Sequence, residues 1–516
     1  MLCTNYALSY CFIFFRGGGI LEISFEKETS TSIYELSRKY FGKKDRMKSE
    51  NSKINKQSIL LLIAVALGGL MDGLDGSIVN IALPIIASDF GADTGSVSWI
   101  VIIYLLMVAG TILIFGNIAS RGHIKKTLIA GFALFTISSV ICGFSISLPM
   151  LIIARGIQGL GASMIIACAP IICVKFMPRE IIGLSFGVLT AATSVGFAAG
   201  PAIGGVLTHF LSWNWIFFIN IPIGIFAILY CLKVIPKGDA ASSEPFDWIG
   251  SLLLFAAMAC GTYVLERFPH VGFSSPQILG ILAACIISAV ILCIYELKNP
   301  RPLINFRVFK YFKVNAVISA FLIVQVIYCG LLYLIPFYLT NAAGIDSLVS
   351  GIYLLIPPLV TAVASIPVSR ISDRIGGRRW FMAASSAMLV VISLIYSVII
   401  PEFGALPLIA ALILMGFSIA AVSGPGPGKI VEVMPEGDKE LGSTIMMTCV
   451  YGGGVLGTAL YAAIFTLLTS SGGHVISFAE LPTEIFLYGF HLAMIIGAVI
   501  SIAGVILSLV VRDNPE

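Results

Sequence analysis

The sequence predicts an all-α polytopic membrane protein of fourteen transmembrane helices, built as two related six-helix halves with two helices inserted between them. Three observations carry this reading. Of the 516 residues, 58% are hydrophobic and 11% charged, and the mean hydropathy is +1.00, whereas soluble domains hold about 25% charged residues. Fourteen apolar stretches follow one another, each long enough to cross a hydrocarbon core of ~30 Å. A basic loop recurs at the corresponding place in each half. Such a composition excludes water-soluble enzymes, disordered regulators and nucleic-acid binders, and makes the lipid bilayer the first partner.

Residues 1–57 read differently from the rest. Their apolar run, from Tyr6 to Phe15, is too short to span a bilayer, and no basic residues precede it as a signal peptide requires. Met47, followed by Lys48, Lys53 and Lys56, opens directly onto the first long apolar segment. The expectation is a true start at Met47, with a disordered cytoplasmic tail as the alternative. Residues 58–234 form the first six-helix half, 235–313 the two inserted helices with their loops, and 314–516 the second half.

The spans begin near Ser58, Val97, Thr127, Leu148, Leu184, Trp215, Trp248, Pro276, Val314, Ser347, Trp380, Leu406, Ser443 and Phe486. Counted outward from a cytoplasmic N-terminus, the inner loops hold Arg121, Lys125, Lys126, Lys175, Arg179, Lys233, Lys237, Lys298, Arg301, Arg307, Lys310, Lys313, Arg370, Arg374, Arg378 and Arg379. The outer loops hold Arg267. That asymmetry satisfies the positive-inside rule and places both termini in the cytoplasm. The eleven cysteines are scattered without metal-ligand or disulfide spacing, and most read as small apolar fillers.

Two repeats support the division into halves. GNIASRGHIKKTL begins at Gly116 and SRISDRIGGRRWF at Ser369, so that Arg121 pairs with Arg374 and Lys125 with Arg378 at one offset of 253 residues. Gly196, Gly200, Gly204 and Gly205 in helix five have counterparts in Gly452, Gly453, Gly454 and Gly457 in helix thirteen. Internal repeats of this kind mark transporters.

Candidate chemistry starts with Asp72 and Asp75, three residues apart and so on one face of the first helix, about halfway across the membrane. Ionised carboxylates are costly there, and burial with mutual repulsion favours a proton on at least one, as a proton carrier needs. A pair facing a water-filled funnel or a polar helix contact would also account for them. Arg155, deep in helix four, needs an acceptor: a carboxylate or an exposed carbonyl of the first helix. Gln158 lies one turn on and can bond substrate or another helix. Gly200 and Pro201 should disrupt helix five, while its glycines admit a close neighbour.

The basic loops can latch the cytoplasmic side through helix ends and acidic partners. In GPGPGKI of helix twelve, Ser423 and Ile430 stand where a phosphate loop requires Gly and Ser or Thr, so a hinge or cavity wall is expected there and no nucleotide site. Substrate candidates facing a central cavity are Tyr104, Gln325, Tyr328, Tyr353, Met446 and Tyr451, an aromatic set suited to bulky amphipathic compounds.

These motifs, in this order, resemble the fourteen-helix drug:proton antiporters of the major facilitator superfamily. The pattern LDxTIVNxALP matches Leu74, Asp75, Ile78, Val79, Asn80, Ala82, Leu83 and Pro84, with Ser77 for the usual Thr. RGIQGLGAS matches through Arg155, Gln158, Gly159, Gly161 and Ala162. GFAAGPAIGG matches the pattern associated with antiporters, and WNWIFFINIPIG, Asp247, Trp248, Gly250 and PLINFRVF extend the likeness over Ser58 to Val511. The resemblance implies the major facilitator fold and a coupling role for Asp75, with Arg155 sensing its protonation. It also implies a cavity role for Asn80 and a gating role for the loops around Gly116, Arg121, Lys125, Asp373, Arg374, Gly376 and Arg378. It implies proton-driven export of amphipathic small molecules across the cytoplasmic (inner) membrane, with no cofactor beyond the proton gradient, and admits a periplasmic membrane-fusion adaptor as a partner. Ser120 and His123 depart from the family's Asp and Gly in the first loop, and Asn214 from its Arg between Trp213 and Trp215, two residues expected to be interfacial anchors. Uptake or exchange of a metabolite on the same fold is the second reading, and a receptor or scaffold the third.

Overall fold

The structure, a computed structural model, describes residues 56–177, 182–236, 247–272, 275–299, 306–375, 377–399, 405–435, 439–470 and 478–511. The expected start at Met47, Gly376, and the side chains of Ser120 and Asp373 lie outside the described residues.

Among the described residues, fourteen helices are long and apolar enough to cross a membrane. The first half comprises α1 (Lys56–Asp89), α2 (Thr94–Ile118), α3 (Ile124–Gly143), α4 (Leu148–Lys175), α5 (Ile182–Phe210) and α6 (Asn220–Val234). The single turn Trp215–Phe218 precedes α6. The inserted pair is α7 (Trp248–Val271) and α8 (Pro276–Lys298). The second half comprises α9 (Phe312–Phe337), α10 (Ser347–Ile375), α11 (Arg378–Val398), α12 (Ala405–Ser423), α13 (Lys439–Thr469) and α14 (Thr483–Val510).

Local chemistry explains where these helices start and stop. Asp93 caps α2 by accepting from the Ser96 amide at 2.9 Å, and Asp247 caps α7 by accepting from the Gly250 amide at 2.7 Å. Proline in the first turn opens α4 and α8, where its missing N–H costs nothing. Gly91, at φ 58°, turns α1 into α2, and Gly122, at φ 88°, turns the short π-helical link Ala119–His123. α12 stops at Ser423 and resumes as Pro425–Val433 after Gly424, the interruption that GPGPGKI suggests. At Pro201 the expectation fails: α5 runs unbroken through it. Proline removes one bond of the ladder there, and dense packing of α5 against α1 keeps the helix going.

The packing repeats by halves. α1 lies on α5 as α9 lies on α13, α2 and α3 on α4 as α10 and α11 on α12, and α3 on α6 as α11 on α14. The halves join along two seams, α2 with α13 and α5 with α10. α7 leans on the α2–α13 seam and carries α8 on its outside, and α8 is correspondingly the least buried of the spans. The end of the bundle with the α1–α2, α3–α4 and α5–α6 turns is called distal, and the end with the basic loops proximal.

The α1–α5 contact is set by the glycines of GFAAGPAIGG. A Cβ at Gly196 would stand 2.5 Å from the Leu70 carbonyl and one at Gly204 2.5 Å from Ile81, while one at Gly200 would overlap the Ser77 hydroxyl. Gly205 meets α10 instead, at the Ser347 carbonyl. Gly200→Leu is therefore expected to lose most correctly folded protein, and Gly187→Ala, which meets open space on the same helix, to lose none. Size-exclusion profiles of detergent-solubilised variants check this.

Candidate functional site

Asp75 is fully buried and gathers donors from two other helices. Arg155 Nη1 donates to its Oδ2 at 2.7 Å. Gln158 Nε2 and Asn220 Nδ2 donate to its Oδ1 at 3.1 and 3.2 Å. Arg155, 1% exposed, also donates from Nε to the Ile100 carbonyl at 3.1 Å and from Nη1 to Gln158 Oε1 at 2.6 Å. Gln158 donates in turn to the Ser139 hydroxyl at 2.8 Å, and the Cys142 thiol points at Gln158 Oε1 from 3.7 Å. The Arg155 guanidinium lies 4.2 Å from the centre of the Tyr104 ring. A desolvated cation over an aromatic face is stabilised by roughly 2 kcal/mol.

One carboxylate thus ties together side chains or carbonyls of α1, α2, α3, α4 and α6. Of the two acceptors on the first helix that sequence offers for Arg155, the carboxylate is the one present; the carbonyl that Arg155 meets belongs to α2. Depth is divided. Asp75 stands mid-way along its own helix, whereas Ile100, Cys142, Arg155 and Asn220 all lie within eight residues of distal turns, so the network sits toward the distal side. Sequence alone gives Asn220, Ser139 and Cys142 no place in the site. Asn220 carried the clearest signal, being a polar residue inside the apolar run WIFFINIPIG.

Asp72 differs from Asp75 in kind. It is half-buried and lies within electrostatic range of Asp75 and of the hydroxyls of Tyr104 and Tyr451. Tyr451 comes from α13, so the electrostatic neighbourhood of Asp72 spans both halves. The other expected cavity residues disperse. Asn80 and Tyr328 line one small pocket of about 30 Å³ with Ser77 and Pro201, room for water but not for a drug-sized molecule. Gln325 is pressed against Gly453 where α9 meets α13, and Tyr353 and Met446 pack at the edge of the main apolar cluster.

The proximal basic residues make ties inside each half. Lys125 Nζ donates to the carbonyls of Leu232 and Ile235, at 2.6 and 2.8 Å, and so closes the end of α6. Arg378 meets Glu432 at 3.4 Å, and the buried Lys429 meets it at 2.8 Å. Trp213 corrects an expectation. It is 5% exposed and donates to Asp89 at 2.8 Å, because the α5–α6 turn folds it inward against Phe90. Trp215 is about half exposed. Asn214 donates to the Gly143 carbonyl at 2.8 Å and joins two distal turns.

Comparison with known proteins agrees with this architecture. The family model described as Major Facilitator Superfamily matches residues 65–458. The riboflavin transporter RibZ of Clostridioides difficile (strain 630) is 31% identical over 414 residues, covering 80% of this chain and 89% of that protein. The methylenomycin A resistance protein of Bacillus subtilis (strain 168) is 28% identical over 346 residues, 67% of this chain and 74% of that protein. Among solved structures, a bacterial homolog of the human lysosomal transporter Spinster, in an inward-facing, unoccupied conformation, superposes with a TM-score of 0.64 at 13% identity, covering 90% of this chain and 100% of its own. Fourteen spans, two repeated six-helix halves and a family match over most of the length lead to one conclusion: the chain is a multi-pass membrane transporter belonging to the major facilitator superfamily.

Proposed function

We propose that this transporter is a proton-coupled antiporter that exports hydrophobic or amphipathic compounds across the cytoplasmic membrane, with both termini in the cytoplasm. The observation that carries the proposal is the buried Asp75–Arg155 pair, whose carboxylate oxygens hold donors from α4 and α6. A proton arriving at Asp75 Oδ2 cancels the charge that fixes Arg155. The guanidinium is left with the Ile100 carbonyl and Gln158, and α1, α2 and α4 are free to repack. When Arg155 returns, the proton is expelled. Asp72, half-buried one turn away, is the more accessible carboxylate for a cationic substrate, and the partly exposed Tyr451 ring suits flat apolar groups, whereas Tyr104 is buried beneath Arg155. Relatives named for resistance to methylenomycin A and for multidrug resistance support export. A relative named as a riboflavin transporter favours a second reading, transport of a flat polar metabolite.

Orientation follows from charge. Among the described residues the proximal loops and helix ends carry the basic side chains from Lys125 to Arg379, and the distal ones carry Arg267. Reporter fusions at Lys310 should read cytoplasmic and at Asp93 external; the reverse at both overturns the orientation. Function is tested in everted membrane vesicles with an acidic interior, using ethidium, crystal violet and riboflavin as probes. An exporter accumulates a dye in these vesicles and loses it when the pH gradient is collapsed. Riboflavin movement with no dye movement supports the second reading, and no gradient-dependent flux of any probe removes the first.

A further inference from the structure

A second buried carboxylate lies far from Asp75. Glu266, near the distal end of α7, is 1% exposed, and its surroundings are drawn from both halves. A Cβ placed on Gly95 would stand 2.9 Å from Asp93 Oδ1, 2.9 Å from Glu266 Oε1 and 2.9 Å from Thr466 Oγ1. Oxygens from the α2 cap, from α7 and from α13 therefore crowd around one glycine, within about 6 Å of one another, a range in which like charges repel. Thr466 is itself 1% exposed, and its hydroxyl has no hydrogen-bond partner among the described residues; neither has Glu266 Oε2.

The groups facing Glu266 can be named element by element. From α2 come Asp93, at its cap, and Ser98, whose hydroxyl lies within hydrogen-bonding reach of Glu266 as well as of the Gly95 carbonyl, 2.6 Å away. From α13 comes Thr466. From α9 comes Tyr333, whose hydroxyl donates to the Thr94 carbonyl. On α7 itself, Arg267 is exposed, and Tyr263 accepts from Gln277 of α8 at 2.7 Å. A cleft of about 420 Å³, lined by Ser96, Trp99, Tyr263, Glu266 and Arg267, opens beside the site. The halves also touch at this end through the Phe478 amide, which donates to the Ala92 carbonyl at 3.1 Å.

We propose that Glu266 takes up a proton when the distal mouth closes and gives it up when the mouth opens, so that the inserted helix α7 works as a pH-dependent clasp across the α2–α13 seam. Hydrogen bonding sets the direction. As a carboxylate, Glu266 can only accept, and so can Asp93, so closure would press acceptor against acceptor in an interior. As a neutral acid, Glu266 turns an O–H toward Asp93 Oδ1 and replaces that repulsion with a hydrogen bond, while the hydroxyls of Ser98 and Thr466 can serve either protonation state. The proton comes from the distal aqueous phase through the cleft, binds at Oε2 and leaves by the same route. This site is distinct from Asp75: its proton accompanies closure whether or not transport is driven by a gradient.

Hydrogen–deuterium exchange of the full chain in nanodiscs, corrected for intrinsic exchange, reads the opening directly in residues 90–99 and 478–486. If opening releases one proton, the opening equilibrium rises about tenfold per pH unit across the titration. Wild type should therefore exchange faster at these segments as pH rises. Glu266→Gln, neutral and nearly isosteric, should stay protected across the same range, and Glu266→Asp should keep a pH dependence with a displaced midpoint. The same pH dependence in Glu266→Gln as in wild type overturns the proposal, and so does its absence in wild type. If Glu266→Gln does not fold, an unchanged midpoint in Glu266→Asp overturns it equally. Because no substrate is present, failure of the export reading leaves this result unaffected, and the reverse holds.

Discussion

Asp75→Asn is expected to abolish pH-gradient-driven export while leaving a folded protein. The amide keeps the shape of the side chain and can still accept at one oxygen from Gln158 or Asn220. It sets its NH₂ against the Arg155 donor, a mismatch of about 1–3 kcal/mol, which costs stability without destroying the bundle. What disappears is the charge that a proton would cancel, so Arg155 no longer has two positions to move between. Downhill movement of the same probe should persist. Asp72→Asn should impair coupling less and alter the pH optimum, because it removes a like charge from beside Asp75. Persistence of driven export in Asp75→Asn with its loss in Asp72→Asn assigns the two carboxylates the other way round, and persistence in both places the coupling site elsewhere.

Arg155→Met should act on the fold first. It leaves a fully buried carboxylate facing an apolar side chain, and breaking one partner of a buried pair costs about 3–5 kcal/mol. It also removes the cation from above Tyr104 and frees the Ile100 carbonyl. Thermal unfolding in detergent should fall clearly below wild type. The double variant Arg155→Met with Asp75→Asn should recover much of that loss, since no unpaired charge remains, but no driven transport. A double variant as unstable as the single one contradicts the pairing energetics.

Much of the fold is legible in the sequence because the bilayer allows so few solutions. Each span must be a helix of about twenty apolar residues, so the fourteen stretches and the repeated loops at Arg121 and Arg374 suffice for the helix count and the two halves. The glycines of α5 are legible for a similar reason: their spacing puts a backbone within reach of Ser77 and Ile81. Pro201 is not, because whether a proline breaks a helix depends on the packing around it. Trp213 is not, because hydropathy cannot separate a tryptophan at the membrane interface from one folded inward onto Asp89.

The site follows the same division. Asp75, Arg155 and Gln158 stand out as polar residues in apolar helices, and the structure brings all three together. Asn220, Ser139 and Cys142 escape notice because small polar side chains are common in membrane helices and carry no periodic signal. Glu266 too is a charge inside an apolar span, but sequence gives it no partner. Its neighbours Asp93, Thr466 and Tyr333 come from distant parts of the chain, so only the tertiary arrangement exposes the crowding. The aromatic and polar candidates scatter because most such residues in a bundle serve helix packing, as Gln325 does against Gly453.

If the proton on Asp75 and the transported molecule are linked, that linkage is reciprocal: a protonation that changes substrate affinity requires substrate binding to change proton occupancy. The most direct measurement is therefore proton exchange with weakly buffered medium, followed with a pH indicator as purified protein is titrated with whichever of ethidium, crystal violet or riboflavin the vesicle assay selects. Wild type is predicted to release protons in proportion to bound probe, and Asp75→Asn to bind the probe with no release. Equal release from Asp75→Asn, or probe binding to wild type with no proton exchanged at any pH, would contradict it.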